Sequence, residues 1–319
     1  MSAARPRIAI TRYDRTLPLI TSPGDADAGG DVDGVEHFQF EEGGTMDITR
    51  ALLEGHYDAG EMSLSAFVKA RESGMPLRAL PVFTNRKFFQ QYIYVAKNSE
   101  IKSLSDLAGR RVGVYMYWMT SSIWHRQCLH AELGLEASDL SWTALMDDRM
   151  DSMQIPLGVR FESLGQSNPV GIADLLLDGR VDCILGAATT PEILSARDRF
   201  RRPFENIDRA QRDYFERDQI FPIVHLVVCR ESFLDNAEDA ARLCAAFESA
   251  KQVAYRKLED ETYTALPFVR SYLEDSQKIF GPDPYRDGIE PNRHVLDAFL
   301  EASYRQGLTE RRLEVDELF

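Results

Sequence analysis

The chain is 319 residues long, 44% hydrophobic and 28% charged, a globular balance that excludes a disordered, fibrous or low-complexity chain and suits two lobes of roughly 100–200 residues. Its formal net charge is −14, and an acidic surface repels phosphate backbones, so nucleic acid is not an expected partner. An anionic small ligand stays allowed, because clustered Arg side chains and helix ends reverse the field locally.

Strand and helix patterns alternate along the chain, the signature of an α/β fold. Residues 7–11 read as the first strand, 23–34 as a Gly/Asp-rich loop, 35–40 as a strand and 45–54 as a helix. A strand over 57–62, a helix over 63–72 and apolar strands over 77–83 and 92–97 follow. Ser103 caps a short helix that Gly109 stops, and a strand covers 111–115. Then come a helix over 120–133, a strand over 140–145, a helix over 171–177 stopped near Gly179, and a buried strand over 181–185. Pro191 sits in the first turn of a helix over 190–197. An apolar strand covers 220–229, and helices are expected over 236–258, 262–277 and 293–306. A strand leaving one lobe near 95 and another returning near 224 make the first lobe discontinuous: residues 1–95 with 224–319, against 96–223 for the second. The expected ligand site is a cleft between these lobes, since ligands of open α/β sheets lie beyond the carboxyl ends of strands.

The apolar run after the N-terminal basic residues is broken by Tyr13, Asp14 and Arg15, too soon for the stretch of about 7–15 that a secretory signal needs. No segment approaches the roughly 18 apolar residues of a membrane span. A cytoplasmic location and no membrane partner are therefore expected. Cys128, Cys183, Cys229 and Cys244 are scattered singly and read as reduced structural thiols, not a zinc site or disulfide framework.

Three segments repeat one device, a strand, a short polar run and a helix: Gly60-Glu-Met-Ser-Leu-Ser65, Tyr117-Trp-Met-Thr-Ser-Ser122 and Gly186-Ala-Ala-Thr-Thr-Pro191. Helix N-termini attract carboxylates and phosphates. Taken singly, the Ser and Thr residues are N-caps; three together favour an anion site containing Glu61, Ser63, Ser65, Trp118, Thr120, Thr189 and Thr190. Arg12, Tyr13, Asp14 and Arg15 follow the first strand, and Arg86 follows the strand over 77–83. These Arg side chains read equally as carboxylate grips or surface charges. His225 lies inside an apolar run and reads either as a satisfied core residue or as a proton donor near the returning crossover. His125 and His130 fall on different helix faces and make no metal pair, and no hydrolase, kinase or dinucleotide motif occurs.

The blocks Arg12-Tyr-Asp-Arg-Thr16, Gly60-Glu-Met-Ser-Leu-Ser65, Leu80-Pro-Val-Phe83 with Arg86, Ile93-Tyr-Val95, Leu107-Ala-Gly-Arg-Arg-Val-Gly-Val114, Met119-Thr120 with Trp124, and Ile220-Phe-Pro-Ile-Val-His225 resemble the 4,5-dihydroxyphthalate decarboxylase family. The resemblance covers about 7 to 255 and differs at Ala187-Ala-Thr-Thr-Pro191, which has no Arg. It implies a two-lobed type 2 periplasmic-binding-protein-like fold, each lobe a mixed sheet flanked by helices, with a relationship to transporter solute-binding proteins. It implies a carboxy-lyase acting without a cofactor on a small anionic, hydroxylated aromatic carboxylate such as 4,5-dihydroxyphthalate, with no metal ligand assigned and with metal assistance and a homo-oligomer left open. The implied catalytic residues are His225, Asp14 and Glu61. The implied substrate contacts are Arg12, Tyr13, Arg15, Ser63, Ser65, Arg86, Trp118, Thr120, Thr189 and Thr190. The alternatives are a non-catalytic solute-binding protein for a small organic anion, or another cytoplasmic enzyme on the same fold.

Overall fold

The computed structural model describes residues 5–21, 32–148, 150, 152–165 and 170–319; most of the loop expected over 23–34 lies outside the described residues. Contacts divide the chain into two compact units, Met1–Arg86 with Ile223–Arg293 and Asp316–Phe319, and Lys87–Pro222 with His294–Val315.

The first unit opens with β1 (Arg7–Ile10), α1 (Leu17–Ile20), β2 (Gln39–Glu42), α2 (Thr45–Leu53), β3 (Ala59–Ser63), α3 (Leu64–Glu72), β4 (Leu77–Ala79) and β5 (Asn85–Arg86). The second holds β6 (Ile93–Ala96), β7 (Arg111–Val114), α4 (Thr120–Leu133), β8 (Ser141–Ala144), β9 (Arg160–Ser163), α5 (Ile172–Leu177), β10 (Cys183–Leu185), α6 (Pro191–Ser195), β11 (Phe200–Arg201) and α7 (Ile207–Asp218). The chain returns to the first unit through β12 (Ile223–Arg230), α8 (Ala237–Glu259) and α9 (Val269–Phe280), and α10 (Arg293–Arg305) then rejoins the second.

In the first unit the strands run β2-β1-β3-β12-β4, with β5 also on β12. β1 is parallel to β2 and β3, whereas β12 is antiparallel to β3, β4 and β5. Ile8, Ala9 and Ile10 are all buried, the continuous apolar run that a strand covered on both faces requires. α8 turns Leu243, Ala246, Phe247 and Ala250 onto this core, the spacing of an amphipathic helix, and burying each large apolar side chain is worth about 1.5–3 kcal/mol. The second unit runs β11-β6-β10-β7-β8-β9, with β6 antiparallel to β10 and β11. Its core includes Tyr94, Leu175, Leu176, Ile184 and Phe200.

Several boundaries differ from the sequence reading. β6 belongs to the second unit, not to the first lobe, because Ile93 and Tyr94 pair with Leu185 and Ile184; a buried apolar strand carries no local mark of the sheet it joins. Residues 294–315 also leave the expected first lobe, drawn to the second unit by Phe299 on Trp124, with ring centroids 5.3 Å apart, and by Gln306 on Arg126. The strand expected over 35–40 is displaced: Gly34 (φ 78) leads into a 3-10 turn, Val35–His37, before β2 begins. β4 ends before Pro81 and β12 begins after Pro222, as expected for a residue with no N–H to give a ladder. The helix expected over 262–277 begins only at Val269. α7, absent from the sequence reading, is mostly charged and buries only Tyr214, so no apolar stripe announces it. Among the described residues no helix is long and apolar enough to cross a membrane.

Candidate active site

β12 carries His225 opposite Ser63 of β3 on one side and opposite Asn85 of β5 on the other. Side chains two apart on a strand share a face, so Glu61 lies diagonal to His225. The turn after β1 brings in Tyr13, because β1 lies beside β3 with Ala9 paired to Gly60. Gly60 makes this approach feasible: a Cβ there would stand 2.7 Å from the Ala9 carbonyl oxygen.

These placements build a closed set of hydrogen bonds. The Glu61 carboxyl is fully buried (0% exposed) and the His225 ring is 16% exposed. His225 Nδ1 lies 2.5 Å from Glu61 Oε1, Tyr13 donates its hydroxyl to the same oxygen at 2.7 Å, and the Thr11 N–H reaches Oε2 at 3.3 Å. Asn85 Nδ2 donates to the Tyr13 oxygen at 2.9 Å. With donors on all sides the carboxylate is an obligate acceptor, so Nδ1 carries a proton and Nε2 is the nitrogen left to exchange one. Burial first, then the charge and hydrogen bond of Glu61, raises the Tyr13 phenol far above its ordinary pKa, which keeps it protonated.

Arg15 shares this turn. Its Nε and Nη2 grip the Thr84 carbonyl at 2.8 and 2.5 Å, and its Nη1 pairs with Asp14 at 3.0 Å. The guanidinium lies between the rings of Tyr13 and Tyr285, 4.5 and 4.0 Å from their centroids. The structure therefore brings together Tyr13, Glu61, Ser63 and His225, with Asp14 and Arg15 alongside. Asp14 meets Arg15 and is itself 59% exposed.

Other sequence candidates make contacts of their own. Arg12 turns outward onto Glu42, at 2.7 Å. Arg86 is buried against the Arg286 carbonyl and Asn292 Oδ1, at 2.9 and 2.5 Å, and burial lowers its pKa to about 10; it braces the first unit. Ser65 is buried in the first turn of α3. Trp118, Thr120, Thr189 and Thr190 belong to the second unit. There Trp118 is buried and donates to the Gln154 carbonyl, Thr120 is buried at the start of α4, Thr189 meets the Tyr94 hydroxyl at 2.7 Å, and Thr190 caps α6. Asn85 escaped the sequence reading, although it immediately precedes Arg86. All four cysteines are free, with Cys229 and Cys244 pushed by burial to about 12 and about 11. Among the described residues no group of three or more His, Cys, Asp or Glu side chains is disposed to hold a metal.

The chain is 32% identical to the 4,5-dihydroxyphthalate decarboxylase of Comamonas testosteroni, over 100% of this chain and 97% of the relative. The chain belongs to the 4,5-dihydroxyphthalate decarboxylase family. The enzyme of the same name from Pseudomonas putida is 30% identical over 56% of this chain and 69% of its own. A family model described as "ABC transporter, phosphonate, periplasmic substrate-binding protein" matches residues 43–201. Among solved structures, the periplasmic aliphatic sulphonate binding protein SsuA of Escherichia coli aligns over 100% of this chain and 92% of its own, with a TM-score of 0.59 at 15% identity. The alkanesulfonate-binding protein of Xanthomonas axonopodis pv. citri, bound to MOPS, aligns over 98% of each chain with a TM-score of 0.54 at 15% identity. The fold of this family member is thus the periplasmic-binding-protein fold.

Proposed function

We propose that this protein is a decarboxylase that removes CO2 from a hydroxylated aromatic carboxylate of the 4,5-dihydroxyphthalate kind, with His225 as the proton donor. The observation that carries the reading is the buried Glu61 carboxylate on His225 Nδ1, which orients the ring and leaves Nε2 as its exchanging nitrogen, the arrangement a general acid requires. A ring hydroxyl of the substrate pushes electron density onto the carbon that bears the carboxylate. The Nε2 proton moves to that carbon and a C–H bond forms. The bond to the carboxylate then breaks, its electron pair returns to the ring, and CO2 leaves. Neutral Nε2 regains its proton from solvent. Ser63 faces His225 across the ladder and makes no capping bond with its side chain, so its hydroxyl is available to the substrate. The adjoining N-terminus of α3 favours a negative charge.

The test is CO2 release from 4,5-dihydroxyphthalate and related hydroxybenzoates by purified protein. The reading requires turnover by the wild type and its loss in His225→Ala; no turnover, or undiminished turnover in that variant, removes it. The matching family model favours a second reading, a binding protein for a small organic anion. That reading predicts binding of the same compounds with no CO2 released.

A further inference from the structure

We infer that Asn85 is a positioning residue for the proton donor, acting through Tyr13 and braced by Arg15. The inference rests on the proposed role of His225 and extends it to a residue whose amide bonds the Tyr13 hydroxyl and not the ring's free nitrogen.

Asn85 Nδ2 can only donate, and it occupies a lone pair of the Tyr13 oxygen at 2.9 Å. The single Tyr13 proton is thereby directed to Glu61 Oε1, at 2.7 Å. Glu61 Oε1 receives His225 Nδ1 as well, so the amide fixes the direction of the Tyr13 bond, and the same carboxylate oxygen accepts from both Tyr13 and the ring. Asn85 Nδ2 also stands 3.5 Å from His225 Nδ1. Two donors facing each other at that range disfavour any drift of Nδ1 from the carboxylate toward Asn85.

The backbone on both sides of Asn85 is anchored by a guanidinium. Arg15 grips the carbonyl of the preceding residue, Thr84, through two nitrogens, and Arg86 is tied to Asn292 and the Arg286 carbonyl. Arg15 belongs to the turn that carries Tyr13, so one side chain fastens the donor segment to the acceptor segment. β5 is only two residues long, and these side chains supply the rigidity that so short a strand lacks. Asn85 is itself 5% exposed, so water cannot readily replace its amide.

The test uses Asn85→Asp, which keeps the shape and replaces the donor by an acceptor. Two readouts are taken: kcat and KM for CO2 release, and the His225 tautomer from long-range nitrogen–proton NMR correlations, assigned with His225→Gln. The inference predicts a kcat lowered about 10- to 100-fold, the range for losing a hydrogen bond in a charged network, with KM within about threefold. It also predicts loss of the single Nδ1–H tautomer. A purely structural Asn85 would leave the tautomer and kcat of the folded variant unchanged, and that result overturns the inference. The NMR readout needs no turnover, so failure of the decarboxylase reading is distinguished from failure of this one. Should Asn85→Asp not fold, a double-mutant cycle of Asn85→Ala with Tyr13→Phe decides instead: coupled losses in kcat or tautomer support the relay, and independent losses refute it.

Discussion

Replacing Glu61 by Gln separates what the buried carboxylate does for the site from what it does for the fold. The native side chain is wholly buried, and three donors converge on it, from Thr11, Tyr13 and His225. A glutamine of the same shape carries one acceptor and one donor, so either amide orientation sets an N–H against an N–H or O–H. If the amide nitrogen faces Thr11, the bond lost is the long one, 3.3 Å. If it faces His225, the Nδ1–H loses its acceptor altogether. In both orientations the charge-assisted bond to the ring is lost or made neutral, and such bonds are worth about 1.5–3 kcal/mol, or about 10- to 150-fold in rate. Stability responds differently, because the variant also removes a charge held in a low-dielectric interior, whose desolvation offsets part of its hydrogen bonding. The expected result is a kcat for CO2 release about 10- to 150-fold lower, with Tm moved by only a few degrees. Thermal melts and initial rates on one preparation supply both numbers. A folded Glu61→Gln protein with kcat within threefold of wild type would refute the reasoning; so would a variant that loses its cooperative melt, which would make Glu61 a fold residue first.

Other consequences are thermodynamic. Burial lowers His125 from 6.5 to about 4, against backbone hydrogen bonds at Phe89 and Ser121 that raise it. The unfolded chain therefore binds the extra proton between those values, and stability falls as pH drops from about 6.5 toward 4, by about 3 kcal/mol in total. Tm measured across that range should lose this component in His125→Gln; an identical pH dependence in the variant would contradict it. Gly60→Ala places a methyl 2.7 Å from the Ala9 carbonyl and 3.1 Å from Ile48, so melts should show destabilisation of about 1–3 kcal/mol, and an unchanged Tm would count against that crowding. Arg126 is buried 4.0 Å from the Tyr117 ring centroid, with Nε on Gln306 at 2.7 Å and Nη1 on the Tyr117 carbonyl at 2.9 Å. Arg126→Lys cannot reproduce the planar fork, and a loss of about 2–4 kcal/mol in thermal stability is expected; a Tm equal to wild type would refute it.

The sequence disclosed those parts of the site whose signals are local. α4 spans Thr120–Leu133, the expected bounds, and Thr190 caps α6. Tyr13 follows β1 and Ser63 ends β3, where α/β sheets place their chemistry, and Glu61 lies inside β3 two residues before that end. His225 stood out as a titratable group in an apolar run. The rest depends on partners distant in sequence. Arg86 reads as a free cation until its partner Asn292, 206 positions away, is seen to hold it. Arg12 reads like Arg15, yet one meets Glu42 at the surface and the other braces Thr84, a choice made by the direction of the chain after β1. Asn85 was illegible because β5 exists only by pairing with β12, and a strand of two residues has no periodicity to read.

The same structural logic bears on whether the site binds or reacts. A receptor evolved only to hold an organic anion gains nothing from a carboxylate sealed beneath its histidine. That charge repels the ligand through a medium of low dielectric, and affinity would improve with a neutral residue at position 61. A proton donor has the opposite need, because the carboxylate holds the ring in the orientation from which Nε2 delivers its proton in the transition state. The two demands give opposite signs in one variant. In Glu61→Gln an acid should bind 4,5-dihydroxyphthalate as tightly as wild type or more tightly, while releasing CO2 far more slowly. Calorimetric titration beside the rate assay reads both. Weaker binding together with an unchanged rate would mean that Glu61 serves the ligand's grip and not its chemistry, and the assignment of His225 as proton donor would have to be abandoned.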